Sequence, residues 1–271
     1  MICSNCSHNC DIPEGMTGVC HARSVRGGKV VPDNYGKVTS LALDPIEKKP
    51  LAMFNPGTRI LSVGSYGCNM RCMWCQNDSI SRGPVECDSL TSEELIAIAC
   101  DTRSRGNIGI AYTYNEPSVG YEYVLDCARL AKDNGLVNVM VTNGMLSRDR
   151  FDELIRYMDA YNIDLKTGKA DRYASIGGDL DLIFGNIRSA VEHGRHVELT
   201  TLVVPGFNDD EDDFSAIISM IAGLDPKIPL HITRFFPAGM MKTAMPTELD
   251  IMYRFRDMAL ARLDNVFLGN V

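Results

Sequence analysis

From Arg59 onward, short apolar runs rich in branched residues alternate with longer stretches of helical spacing, and nothing else in the sequence limits the fold as strongly. Strands are predicted at residues 60–63, 108–113, 137–142, 160–166, 197–204, 230–235 and 266–268. Helices are predicted between them at 92–103, 119–134, 147–159, 180–193, 210–224 and 248–263, the first capped by Thr91 or Ser92 and the second closed by Gly135. Strands separated this regularly by helices build a parallel sheet with helices outside, curved into a full or partial barrel. A chain of 271 residues has room for one such α/β domain and a small appendage.

Composition narrows the function classes. The net charge of −8, with no basic run or basic amphipathic stretch, excludes non-specific binding to nucleic acid or to an anionic membrane. No apolar run approaches the length of a membrane span, and Met1-Ile-Cys-Ser-Asn lacks the charged and apolar regions of a signal peptide, so a cytoplasmic protein is expected.

Of the ten cysteines, seven fall into two tight groups, which in a chain of this size points to metal binding in a reducing compartment rather than to disulfides. Cys87, Cys100 and Cys127 stand singly, and Cys100 and Cys127 sit in apolar helical patterns as core filler. The first group, Cys3-x2-Cys6-x3-Cys10-x9-Cys20, lies in a turn-rich unit, residues 1–35, with too little apolar periodicity to build a core unaided. Four thiolates suit tetrahedral zinc, and they suit equally a second, fully ligated [4Fe–4S] cluster. His8 and His21 read as bystanders. Residues 36–58, with a short strand at 38–43 and prolines at 45, 50 and 56, read as a connector packed on the barrel of residues 59–271.

The second group, Cys68-x3-Cys72-x2-Cys75, supplies only three thiolates. A structural zinc would need a distant fourth ligand, whereas a [4Fe–4S] cluster on three cysteines keeps one iron open. With Trp74 directly before the third cysteine, the motif resembles that of the radical S-adenosylmethionine (SAM) enzymes. The resemblance implies a partial (β/α)6 TIM-like barrel, SAM chelating the open iron through its amino and carboxylate groups, and Trp74 near the adenine. It also implies reductive cleavage of SAM to methionine and a 5′-deoxyadenosyl radical that abstracts hydrogen from a substrate.

Polar residues gather where predicted strands end, the place at which barrels hold reactive groups. They are the three cysteines, Asn115 and Glu116, Thr142 and Asn143, Asp164 and Lys166, Glu198 and Thr200, and His231. Asp164 and Lys166 stand two apart and so face the same way. Facing inward, each charge needs a partner, either the other or SAM. His231 and Arg234 differ in strand parity, and His231 is expected to face the mouth, with Arg234 as the rival.

Asn115-Glu116-Pro117, Thr142-Asn143-Gly144 and Asp164-Leu-Lys166 are similar to stretches of the glycyl-radical-enzyme activases. That resemblance places Glu116 at the SAM ammonium and makes Trp74, Thr142, Asn143, Asp164, Lys166, Thr200 and His231 the remaining expected cofactor contacts. Tyr114 and Asn115 replace two glycines of those relatives, and Val141 replaces an aspartate that holds a monovalent cation, so no cation site is expected. Val203-Val-Pro-Gly206 with Asn208 resembles the loop that carries the adenine edge.

Over nearly the whole chain the sequence resembles the radical SAM member of the AmmeMemoRadiSam group, beside the pyruvate formate-lyase activases. The front cysteines, Asp44-Pro-Ile-Glu-Lys-Lys-Pro50, Gln76-Asn77, Tyr112-Thr-Tyr-Asn-Glu-Pro117 and Leu268-Gly-Asn-Val271 carry that likeness. It implies an activase-like oxidoreductase that takes hydrogen from a protein partner, with flavodoxin or ferredoxin as electron donor and Memo-like and AMMECR-like proteins as partners. Two other readings stand beside it: a small-molecule substrate, motivated by the front cysteine unit, and a non-catalytic zinc-binding interaction module.

Overall fold

The computed structural model describes residues 1–271. Near the N-terminus β1 (Arg23–Arg26) and β2 (Lys29–Pro32) form an antiparallel hairpin. Gly27 and Gly28 turn it at φ +58° and +70°, left-handed values that carry a steric penalty for residues with a Cβ. Then come β3 (Lys37–Val38), β4 (Ser40–Pro45), β5 (Arg59–Gly64), α1 (Asp78–Ser81), β6 (Asp88–Ser89), which pairs with β3, and α2 (Ser92–Asp101). Beyond them the alternation runs through β7 (Asn107–Tyr112), α3 (Tyr121–Asp133), β8 (Val137–Thr142), α4 (Arg148–Leu154), β9 (Ala160–Asp164), α5 (Ala170–Ser175) and α6 (Leu180–Glu192). It closes with β10 (His196–Val203), α7 (Glu211–Leu224), β11 (Leu230–Arg234), α8 (Leu249–Leu260) and β12 (Val266–Gly269).

The main sheet has the order β12-β11-β10-β9-β8-β7-β5-β4. Every strand pair in it is parallel except β4 with β5. The end strands β4 and β12 do not pair with each other, so the expected α/β partial barrel is open along one side. Helix starts follow local chemistry. Thr91 accepts the Glu94 N–H while the Glu94 carboxylate accepts the Thr91 N–H, a reciprocal cap that satisfies two orphan donors of α2. Asp179 and Asp210 cap α6 and α7 one way, their carboxylates accepting the Leu182 and Asp213 N–H groups.

Three differences from the sequence pattern have physical causes or consequences. The helix expected over 147–159 stops at Leu154, because Asp159 is drawn to Asn138: its N–H donates to the Asn138 carbonyl and its carboxylate accepts the Asn138 N–H. Short helices α1 and α5 fill loops that carry no apolar periodicity. The connector over 36–58 does more than pack on the barrel, since β4 enters the sheet antiparallel to β5 with Ser40 opposite Gly64 and Pro45 opposite Arg59.

After β4 the connector closes the barrel's foot. Ile46 and Leu51 are fully buried against Ile60, Ala111, Val139 and Ala160, one from each of the neighbouring strands β5, β7, β8 and β9. Burying side chains of this size is worth about 1.5–3 kcal/mol each. The larger core lies between sheet and helices, where Phe214 of α7 and Phe255 of α8 stack at 4.1 Å. No helix is long and apolar enough to cross a membrane.

Candidate active site

A cavity of about 680 Å³ runs from the Cys68–Cys75 loop down inside the barrel to Pro50 and Ala52 of the foot plug. All three cysteines of the second group line it, with Trp74, Asn115, Glu116, Asn143, Asp164, Lys166, Thr200 and His231. Sheet register explains part of this convergence. Asp164 lies opposite Thr200, and Thr200 opposite His231, so one row across β9, β10 and β11 points into the cavity.

The cysteine loop is held from several sides. Asn115 Nδ2 donates to the carbonyls of Tyr66 and Gly67 at 3.1 Å, Arg82 reaches the Cys72 carbonyl at 3.0 Å, and the Cys68 N–H donates to the Cys20 carbonyl at 3.2 Å. The loop after β11 closes over it, with the Met240 N–H on the Met73 carbonyl at 2.7 Å. Gly239 sits there at φ +56°, where a Cβ would stand 2.6 Å from the Met73 carbonyl oxygen and 2.9 Å from Cys75 N. Gly239→Ala is therefore expected to push the cysteine loop outward and to cost about 1–2 kcal/mol. Iron bound per chain after reconstitution and the thermal midpoint both check this, and an unchanged pair of values would remove the contact from the account.

The donor set suits a cluster. All three thiols are free and face one cavity. Nowhere in the structure do three His, Cys, Asp or Glu donors close around one point in the way a single ion needs, whereas cubane ligands bind different irons and stand apart. Burial, with Glu116 adding, holds the Cys68 thiol well above its ordinary range. Burial raises Cys72 too, against the pull of Lys166. Loading a metal here displaces protons from these thiols.

Glu116 is buried, accepting from the Thr142 hydroxyl at 2.6 Å, the Asn143 N–H at 2.7 Å and the Ser118 N–H at 3.0 Å. Burial raises its pKa and outweighs these donors. Burial alone would discharge Lys166, but Asp164 at 2.9 Å and the neighbouring Cys72 keep it charged, above its ordinary range. Trp74 packs on Phe207 with ring centroids 4.4 Å apart, forming an aromatic wall beside the cysteines.

One expected contact and one expected strand-end position need correction. Thr142 does not line the cavity; its hydroxyl stands behind Glu116 and orients that carboxylate. Glu198 is not at the mouth but one row lower, opposite Asn162, where it is fully buried. Its oxygens accept from His231 at 2.6 Å, His196 at 2.8 Å, and the Met53 and Ala52 N–H groups at 2.8 and 2.9 Å. His231 lines the cavity with its Nε2 held on Glu198. The rival Arg234 turns away, donating to the Thr247 carbonyl at 2.7 Å and stacking on Phe236. The front cysteines Cys3, Cys6, Cys10 and Cys20 are free and lie outside the cavity lining.

Sequence reasoning missed Tyr114 as a site residue. It sits at φ +72°, a conformation suited to the glycine it replaces, and its hydroxyl reaches Asp44 at 2.9 Å. Lys49 pairs with the same carboxylate at 2.9 Å and lies over the Tyr114 ring. Gly64 leaves room for that ring, since a Cβ there would lie 2.8 Å from it. The glycine replacement was the available signal. Phe267 to Asn270, which also line the cavity, had none beyond their strand pattern.

Comparison with known proteins shows the family. Residues 62–217 match the model of the radical SAM superfamily. The uncharacterized protein MJ0808 of Methanocaldococcus jannaschii is 39% identical over 276 residues, covering 99% of this chain and 81% of that one. A GTP 3′,8-cyclase of Pelotomaculum thermopropionicum is 33% identical across 61% of this chain, which spans 50% of that protein's length. The pyruvate formate-lyase-activating enzyme of Clostridium pasteurianum is 24% identical, covering 74% of this chain and 84% of that one. Among solved structures, a radical SAM methyltransferase from Sphaerobacter thermophilus superposes with a TM-score of 0.61 at 18% identity, covering 80% of this chain and 67% of that one. At that identity it shows the shared fold.

Proposed function

The chain belongs to the radical SAM superfamily, and from that premise we propose that Cys68, Cys72 and Cys75 hold a [4Fe–4S] cluster beside a SAM site formed by Trp74, Glu116, Asn143, Asp164, Lys166, Thr200 and His231. The observation that carries this reading is one deep cavity shared by three free thiols, a buried carboxylate and an ion pair. A cluster bound there would supply one electron for reductive cleavage of SAM, the chemistry from which hydrogen abstraction from a substrate would follow.

The chain's own groups do the rest. Lys166 and Asp164 offer a cation and an anion to the carboxylate and ammonium of SAM. Thr142 and the Asn143 N–H hold the Glu116 carboxylate in a fixed direction. Trp74 and Phe207 exclude water at the place proposed for the adenine. Glu198 fixes the His231 ring at the cavity wall through Nε2.

The test is anaerobic reconstitution with iron and sulfide, followed by dithionite-dependent release of 5′-deoxyadenosine. Absence of release from a fully loaded protein would favour the non-catalytic module. In the same assay Cys100→Ala is expected to stay within about twofold of the wild type, since Cys100 packs on the core away from the cavity.

For the substrate, the cavity's depth and closed foot favour a small molecule over a protein loop. The activase-like reading, in which a protein partner gives up the hydrogen, draws on the likeness to the pyruvate formate-lyase-activating enzyme. Placement in the AmmeMemoRadiSam group, with Memo-like and AMMECR-like partners and a flavodoxin or ferredoxin donor, draws on the sequence motifs. Turnover of a metabolite by the reconstituted protein alone would set the activase-like reading aside. Ten free thiols support a reducing, cytoplasmic setting.

A further inference from the structure

We propose that Cys3, Cys6, Cys10 and Cys20 hold a second metal centre with four thiolate ligands, and that its occupancy sets the position of Cys68 in the reaction site. The second half rests on the reading of Cys68, Cys72 and Cys75 as cluster ligands; the first half does not.

The four thiols are free, and Cys3, Cys6 and Cys20 are buried. The Cys3 N–H donates to the Cys10 carbonyl at 2.9 Å, which folds the first loop back on itself. Gly18 brings the next turn against Cys10, where its built Cβ would lie 3.5 Å from the Cys10 Sγ. The unit has no helix, and its own buried core is Cys3, Ile12 and Val25. So small a core needs a cross-link to hold its shape, and a thiolate-bound metal is one.

This unit is joined to the reaction site through backbone. The Cys20 carbonyl accepts the Cys68 N–H at 3.2 Å, so a residue of one set is hydrogen-bonded to a residue of the other. Gly67, at φ +92°, permits the approach: a Cβ there would lie 2.7 Å from the Cys20 carbonyl oxygen and from Ala22 Cβ. A second link runs from His8 Nε2 to the Asn69 carbonyl at 2.7 Å. Asn143 Nδ2 then reaches Asn69 Oδ1 at 2.8 Å and lies 3.8 Å from the Cys68 Sγ. A metal that fixes Cys20 therefore fixes the carbonyl on which Cys68 hangs. Without it, that carbonyl is held by the packing of Cys20 on Ala22, Tyr66 and Val119, with no tie through the Cys20 thiol to Cys3, Cys6 and Cys10.

Of the two centres that four thiolates can hold, the structure favours an iron–sulfur cluster, because no three donors close around one point as a single zinc ion needs. Elemental analysis of the anaerobically purified full chain is expected to give iron and sulfide beyond the roughly four of each in the first cluster, and about one zinc per chain in their place would overturn the cluster assignment. Cys10→Ala is the main variant, because Cys10 packs on the front core of Cys3, Ile12 and Val25. It is expected to lose the front metal by about tenfold or more and to speed hydrogen exchange at residues 65–70 on the order of tenfold. It should also change the electron paramagnetic resonance spectrum of the reduced first cluster with added SAM.

Cys72→Ala should empty the first site and leave the front metal in place. His8→Ala, which removes no thiol, should keep the front metal and still speed exchange at residues 65–70. A Cys10→Ala protein that keeps its front metal overturns the site. One that loses the metal with exchange and spectrum unchanged overturns the coupling. Metal content and hydrogen exchange are read without SAM turnover, so a failure of the radical SAM reading stays distinguishable from a failure of either.

Discussion

Cys72→Ala abolishes dithionite-dependent release of 5′-deoxyadenosine and lowers the iron bound at this site after reconstitution: this is the expected result with the largest effect on activity. The site offers three thiols and no spare, since Cys87, Cys100 and Cys127 lie outside the cavity lining. Alanine supplies no donor, and a cluster left with two protein ligands has lost the fixed position that one open iron requires. Measuring iron, sulfide and 5′-deoxyadenosine on the same sample separates loss of the cluster from loss of chemistry. Wild-type release from this variant would dismiss the three cysteines as the reactive centre.

Glu198→Ala is expected to destabilise the fold by about 3–5 kcal/mol, the largest effect on stability of any single change proposed. The carboxylate is fully buried and receives His231, His196 and the N–H groups of Met53 and Ala52, so its removal leaves four buried or half-buried donors facing one another. Urea unfolding at pH 7 reads the loss. Near-equality with the wild type would mean that water replaces the carboxylate without cost.

The same group carries a pH signature. Burial would raise the Glu198 pKa, but the hydrogen bonds from His196, His231, Met53 and Ala52 override it and bring the carboxyl down to about 2. The folded value is below the ordinary value of 4.5, so the stabilisation is fully present above about pH 4.5 and is lost as pH falls through about 2. Its size is roughly 3 kcal/mol on this reckoning. Thermal midpoints followed from pH 7 to pH 3 should fall less steeply for Glu198→Gln than for the wild type. Parallel curves would assign the acid sensitivity elsewhere.

Much of the fold was legible because its signals are local. Strand 137–142 emerges with its predicted bounds as β8, and helix 210–224 within one residue as α7, since apolar period and the Asp210 cap are written in consecutive residues. The three-cysteine site was legible for the same reason, its ligands lying within eight residues. Parity correctly preferred His231 over Arg234, because side-chain alternation is fixed by the strand itself. Thr142 was misplaced because a strand-end position does not say whether a side chain meets the cavity or supports a neighbour. Only its 2.6 Å bond to Glu116, from the adjacent strand's end, decides that.

By itself the sequence determined the βα alternation, the three-cysteine motif and the separation of the front thiols from it, all set by spacings of a few residues. Tertiary structure decided what register and long-range packing bring together. Ala52 meets Glu198 across 146 residues, Tyr114 meets Asp44 across 70, and Cys20 meets Cys68 through backbone alone. Such contacts depend on which strands pair, and in what register, so no local pattern encodes them. The physical reason is that a buried carboxylate, ring or carbonyl takes whichever donor the closed barrel presents to it, and the barrel must close before that donor exists.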